Sequence, residues 1–198
     1  MLINGDDIII SAEGSQQGDP LNELEFCESI QPTLFETEVR TAMGFVDDIN
    51  LEGELSSVVR DVQVIINSNP TTGLVLNARK CKITAKNFEM IDKFSIFKNF
   101  KIVVAEDMTI LGAPVLEGRA VDNILKDKIA TLERSIKRLS TLQSHDALCL
   151  LKNPLAMPKL LYILRTSPCA NNPLLQQFDM VLKNGIETVL NVQLSDTQ

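Results

Sequence analysis

The sequence predicts an α+β chain, and three observations carry that expectation. Short apolar runs alternate with turn residues and helical patterns through roughly the first 118 residues. From about residue 119 the apolar spacing becomes helical only, which divides the 198-residue chain into a mixed part, 1–118, and an all-helical part, 119–198. Charge is divided as well: the first 60 residues hold 13 acidic and 2 basic residues, net −11, while the remainder carries +4.

The elements follow in order. Leu2-Ile3 and Ile8-Ile9-Ile10 flank Asn4-Gly5, a hairpin signal because both turn residues tolerate positive φ. Asp6 and Asp7 beside it are accounted for by turn chemistry. A polar loop over 11–18 leads to Asp19-Pro20, which reads as an N-cap and first helical position. Leu21, Leu24, Cys27, Ile30 and Leu34 then recur at helical spacing, and Pro32 is expected to mark the end of that helix. Residues 44–51 form two apolar, strand-like flanks around Asp47-Asp48, so a tight hairpin with both acids at its tip is expected. Residues 56–67 read as a helix stopped by Asn69-Pro70.

Further short strands are expected over 73–77, 82–84, 94–104 and 108–111, ending at Gly112-Ala113-Pro114. Val121, Leu125, Ile129, Leu132, Ile136 and Leu139 then make one apolar helical stripe. Helices over 146–152, 155–165 and 173–191 follow, separated by Asn153-Pro154 and Ser167-Pro168.

Composition narrows the classes. The longest apolar runs are far shorter than the roughly 20 residues that cross a bilayer, so no membrane partner is expected. The first residues lack the basic and long apolar regions of a signal peptide. Four cysteines without a CxxC pair and a lone His145 do not supply an ordinary zinc site. Free thiols of this kind suit an intracellular chain, nuclear or cytoplasmic.

Asp47-Asp48 is the most informative pair. Two unit charges about 4 Å apart repel by about 4 kcal/mol at a near-surface dielectric, and a divalent cation is the usual remedy. Two-metal phosphoryl transfer uses such carboxylates to hold ions about 3.5–4 Å apart. Taken alone the dipeptide reads as an exposed turn. Its companions along the chain change that reading.

Those companions are Gln17-Gly18-Asp19-Pro20-Leu21, then Phe45-Val46-Asp47-Asp48, then Gly73-Leu74-Val75-Leu76-Asn77 with Lys80-Cys81, then Leu111-Gly112. The ordered series resembles the palm of a reverse transcriptase of the non-LTR, LINE-like retrotransposon group. The first segment resembles the family's QGDPL motif, the second its Tyr/Phe-x-Asp-Asp hairpin, the third its GLxLNxxKC segment and the fourth its primer-grip turn. Residues 121–169 resemble the helical thumb and its extension. The resemblance spans nearly the whole chain.

It implies the C-terminal half of a polymerase palm followed by a helical thumb, from an RNA-directed DNA polymerase that adds deoxynucleotides to a primer 3′ hydroxyl with Mg²⁺ or Mn²⁺. Asp47 would bind the catalytic metals, with Asp48 beside it. Gln17, Gly18 and Asp19 would line the incoming nucleotide and template base, where glycine lets backbone approach closely. Lys80 would stand near the departing phosphates. Leu111 and Gly112, with Lys126, Lys128, Lys137 and Arg138, would face an RNA or DNA template-primer duplex. The four cations read equally as a solvated helix face.

Three departures qualify the resemblance. The family's palm needs a third aspartate on a strand well upstream of the QGDPL loop, and sixteen residues precede Gln17 here, all assigned to the first hairpin and its loop. The fingers that hold the nucleotide and template have no counterpart. The helix after Pro20 also carries Asn22, Glu23, Glu25 and Glu28 where the family is apolar. The expectation is a truncated fragment inactive by itself, with a non-catalytic nucleic-acid-binding module or a retroelement relic as the alternatives.

Overall fold

The computed structural model describes the backbone of residues 2–4 and 7–9, and residues 18–68 and 73–195 in full. It is α+β, with six α-helices and four short strand pairs among the described residues. Two compact units are present. One comprises the chain up to Cys81 with Asn87–Lys101, the other Lys82–Lys86 with the chain from Ile102 onward.

In the first unit, β1 (Leu2–Asn4) and β2 (Asp7–Ile9) pair antiparallel with Ile3 opposite Ile8, the expected hairpin. Asp6, Gln17 and most of the expected 11–18 loop lie outside the described residues. Helix α1 runs Asn22–Phe35, starting later and ending later than the sequence predicts. Asp19 does not cap it: its Oδ1 accepts from the Leu21 N–H at 2.9 Å, making a local turn that delays the first helical residue. Pro32 lies inside the last turn rather than ending it. The N–H that proline lacks would have bonded to Glu28, and both residues are exposed, so water can take that carbonyl.

The apolar stripe expected along α1 is buried only at its C-terminal end. Ile30 is buried and Leu34 half-buried, whereas Leu21, Leu24 and Cys27 are exposed, as are Glu23, Glu25 and Glu28. The reason is what α1 packs on. A Cβ at Gly44 would sit 2.8 Å from Leu34 Cδ1 and 3.7 Å from Ile30 Cδ1, so only the last turns meet the following hairpin.

That hairpin is β3 (Thr41–Phe45) and β4 (Asp48–Glu52), antiparallel with Phe45 opposite Asp48. Helix α2 (Leu55–Asn67) then forms as expected. Asp61 on α2 is wholly buried. Its Oδ2 accepts from the Glu38 and Val39 N–H groups at 2.9 and 2.8 Å. Its Oδ1 takes Arg60 at 3.0 Å, and Arg60 also reaches Glu38 at 3.1 Å. One carboxylate thus satisfies two backbone donors of the chain entering β3, as buried polar groups require.

The strand expected over 73–77 is absent: these residues enter no ladder, and alternate positions, Gly73, Val75 and Asn77, are exposed. Of the strand expected over 94–104 only Lys101–Ile102 pairs; Ser95–Phe97 is 3₁₀-helix, following another 3₁₀ stretch at Phe88–Lys93, and the rest is turn and loop. Phe94, Phe97 and Phe100 recur every third residue, the 3₁₀ repeat, so their rings meet edge to face with centroids 6.4 and 5.3 Å apart. Short β5 (Lys82–Ile83) and β6 (Lys101–Ile102) remain of those expectations.

In the second unit, β7 (Thr109–Ile110) and β8 (Ala113–Pro114) form a hairpin whose tip is Leu111-Gly112. Both tip residues have positive φ, 50° and 79°, as a type I′ turn needs. Helix α3 (Arg119–Leu139) buries Val121, Leu125, Ile129, Leu132 and Leu139, the predicted stripe, with Ile136 partly buried beside them. Helices α4 (Ser144–Leu150), α5 (Met157–Thr166) and α6 (Pro173–Leu190) complete a core that includes Ala147, Leu151, Leu160, Ile163 and Phe178. Asn172 caps α6 by accepting from the Leu174 N–H at 3.0 Å.

The stretch Ser144–Thr166 is long and apolar enough to cross a bilayer by length and composition, with mean hydropathy 1.3. The individual apolar runs do not reveal this. The stretch is bent at a π turn, Leu151–Leu155, where the Ala156 N–H reaches the Leu151 carbonyl at 2.9 Å and Pro154 donates nothing. Its Ala147, Leu151, Ala156, Leu160 and Ile163 belong to the helical core.

Candidate functional site

The β3–β4 hairpin closes in two residues, Val46 and Asp47, so Asp47 stands in the turn and Asp48 opens β4. Both aspartates are exposed at the tip, where the sequence places them. Val46 has φ 50°, a left-handed conformation that a β-branched side chain adopts only under strain. Strain of this kind is held where the surroundings over-determine it. Here the five-residue register of β3 against β4 fixes the tip.

Gly18 has φ 92°, a conformation suited to glycine, and nothing lies within 4 Å of where its Cβ would be. Gln17 lies outside the described residues; Asp19 is exposed and engaged in its own turn. Lys80 is exposed on a turn closed by its N–H to the Asn77 carbonyl at 2.9 Å. No ion pair joins Lys80 to Asp47 or Asp48 among the described residues. Beside it, burial pushes the Cys81 thiol above its ordinary value.

A metal centre can be tested on these donors. No group of three or more His, Cys, Asp or Glu side chains able to hold an ion forms among the described residues. Among the described residues no third carboxylate joins Asp47 and Asp48, so the set that holds two ions side by side is incomplete there. A single Mg²⁺ sharing its shell with waters or substrate phosphates asks for no more than one or two carboxylates.

In the second unit the expected basic stripe separates. At about 100° per residue, Lys126 and Lys137 fall within about 20° of each other, while Lys128 lies about 200° away. Lys137 flanks the groove toward α6 with Glu133, Asn184 and Thr188. Lys128 instead lines a cleft of about 420 Å³ toward α5, with Gly112, Asn123, Asp127, Lys159 and Tyr162. Lys126, Lys137 and Arg138 are exposed; Lys128 is half-buried. The α3–α6 contact is close because residue 185 is glycine: a Cβ there would meet Ile136 Cδ1 at 2.4 Å.

Leu111 and Gly112 are exposed at the β7–β8 tip. The Tyr162 hydroxyl donates to the Leu111 carbonyl at 2.6 Å and ties this tip to α5. Lys159 and Tyr162 belong to the stretch that resembles the thumb, but neither they nor Asn123 nor the buried Asp61 is marked as a site residue by the sequence. Tyr162, the chain's lone tyrosine, stands among Leu160, Leu161, Ile163 and Leu164, and that is the signal the sequence offers. Asp61 offered none, since an aspartate within a helical pattern reads as exposed. No family model, no curated protein and no solved structure matches the chain.

Proposed function

We propose that the chain is a reverse-transcriptase-like palm and thumb segment of the non-LTR kind, which holds nucleic acid but does not extend a primer by itself. The observation that carries the reading is the Phe45-Val46-Asp47-Asp48 hairpin, with both carboxylates exposed at a strained two-residue tip. It stands in sequence order between a Gly18-Asp19 turn and the Lys80 turn, as the resemblance requires. In the parent chemistry, two divalent ions activate the primer hydroxyl and stabilise the departing pyrophosphate. Asp47 and Asp48 would give two of the ligands for that purpose, and no third carboxylate joins them among the described residues, which is why catalysis is not expected.

What remains is binding. Lys126, Lys137 and Arg138 present exposed cations in a region of net positive charge, the electrostatic requirement for a phosphate backbone. The purified chain, given a labelled primer-template, deoxynucleotides and Mg²⁺ or Mn²⁺, should yield no extension product while binding the duplex in a salt-sensitive manner. Template-dependent synthesis would overturn the inactivity. Absence of duplex binding at low salt would overturn the binding role.

A further inference from the structure

We infer that the cleft between the β7–β8 tip, α3 and α5 is a single-nucleotide pocket for an unpaired strand, with a base stacked on Tyr162 and its phosphate held by Lys128 and Lys159. This rests on nucleic acid as the partner of the helical unit, and it adds which form and which residues. The cleft measures about 420 Å³ and is lined by Gly112, Asn123, Asp127, Lys128, Lys159 and Tyr162. That volume falls within the range of small-ligand sites, about 300–1,000 Å³, and is far too small for a duplex.

Three features make the cleft suited to a nucleotide. Tyr162 is 47% exposed as a residue, and its hydroxyl is fixed to the Leu111 carbonyl at 2.6 Å, so the side chain lines the cleft in a set orientation with little entropy left to lose. Neither the Lys128 nor the Lys159 ammonium is engaged in an ion pair or side-chain hydrogen bond among the described residues, although Asp127 lines the same cleft. Gly112, at φ 79°, has nothing within 4 Å of where a Cβ would point, which leaves the wall open to a ligand's backbone. Asn123 and Asp127 add hydrogen-bonding groups for a base edge or sugar hydroxyl. A duplex keeps its bases stacked inside and offers Tyr162 no π-face, so the pocket selects unpaired nucleotides.

The chain has one tyrosine and no tryptophan, so its intrinsic fluorescence reports on Tyr162 alone. Titration with a short single-stranded oligonucleotide should quench that emission, and an abasic strand of equal charge should bind without quenching it. In anisotropy measurements Tyr162→Ala should weaken single-strand binding about tenfold, the usual loss for one stacked base. Tyr162→Phe keeps the ring and should retain most of the affinity. Lys159→Glu should weaken binding further, whereas Lys126→Glu, on the other flank of α3, should affect duplex binding more than single-strand binding. Equal quenching by the abasic strand, or unchanged emission in wild-type chain that binds the strand, overturns the pocket. Duplex binding without single-strand binding overturns the pocket and leaves the binding role standing; binding of neither overturns both.

Discussion

Replacing Asp61 tests how the hairpin that carries Asp47 and Asp48 is held. The buried carboxylate accepts two backbone N–H groups, at 2.9 and 2.8 Å, and pairs with Arg60 at 3.0 Å. Hydrogen bonds to a charged acceptor contribute about 1.5–3 kcal/mol each. Glu38 is exposed, so water can replace part of one bond, and the lower end of that range applies to both donors. The Arg60 side chain is 46% exposed, which limits its ion pair to under about 1 kcal/mol. Asp61→Ala should therefore cost about 3–4 kcal/mol, and Asp61→Asn, which keeps one acceptor oxygen, about half. In urea the far-UV transition of this unit should move by on the order of 2 M for the alanine variant. Hydrogen exchange at the Glu38 and Val39 amides should become fast in the alanine variant and stay slower in the asparagine variant, whose remaining oxygen can accept from both. A midpoint shift below about 0.3 M with both amides still protected would refute the reasoning, since it would mean the carboxylate holds nothing.

Other outcomes follow from the same contacts. Val46→Gly or Val46→Asn relieves a left-handed valine and should raise stability by about 0.5–1 kcal/mol in chemical denaturation, with no loss expected at the tip. Gly185→Ala drives a methyl into Ile136 and should cost about 1–3 kcal/mol; Ile136→Val in the same chain should recover part of it, measured as a double-mutant cycle. Charge reversal at Lys137 and Arg138 should weaken duplex binding and flatten its salt dependence, while Asp47→Ala leaves it unchanged, both read by anisotropy across a salt series. Burial raises the Cys169 and Cys81 thiols, so at pH 8 each holds less reactive thiolate than an exposed cysteine; Cys27 and Cys149 should be alkylated first, and all four together in urea. Because the raised values favour the protonated native state, stability from these two thiols is complete below pH 9 and declines as pH rises through their folded-state values.

The sequence alone determined the elements whose periodicity is strong and whose ends are chemically marked. The α3 stripe, the α2 helix, the start of α6 at Pro173 and the Asp47-Asp48 hairpin form as their residues dictate, because local repeat, turn chemistry and burial agree there. Tertiary structure decided the rest. Leu21 and Leu24 have helical spacing but stay largely exposed, and the phenylalanines at 94, 97 and 100 follow a repeat of three. Four cations close in sequence spread around one helix, so Lys128 turns to the Tyr162 cleft and Lys137 to the α6 groove. Asp61 and Tyr162 gain their roles from partners 22–23 and 51 residues away, Glu38 with Val39 and Leu111 respectively. Spacing along a chain sets which faces residues share, whereas which face is covered, and by what, depends on segments that only folding brings together.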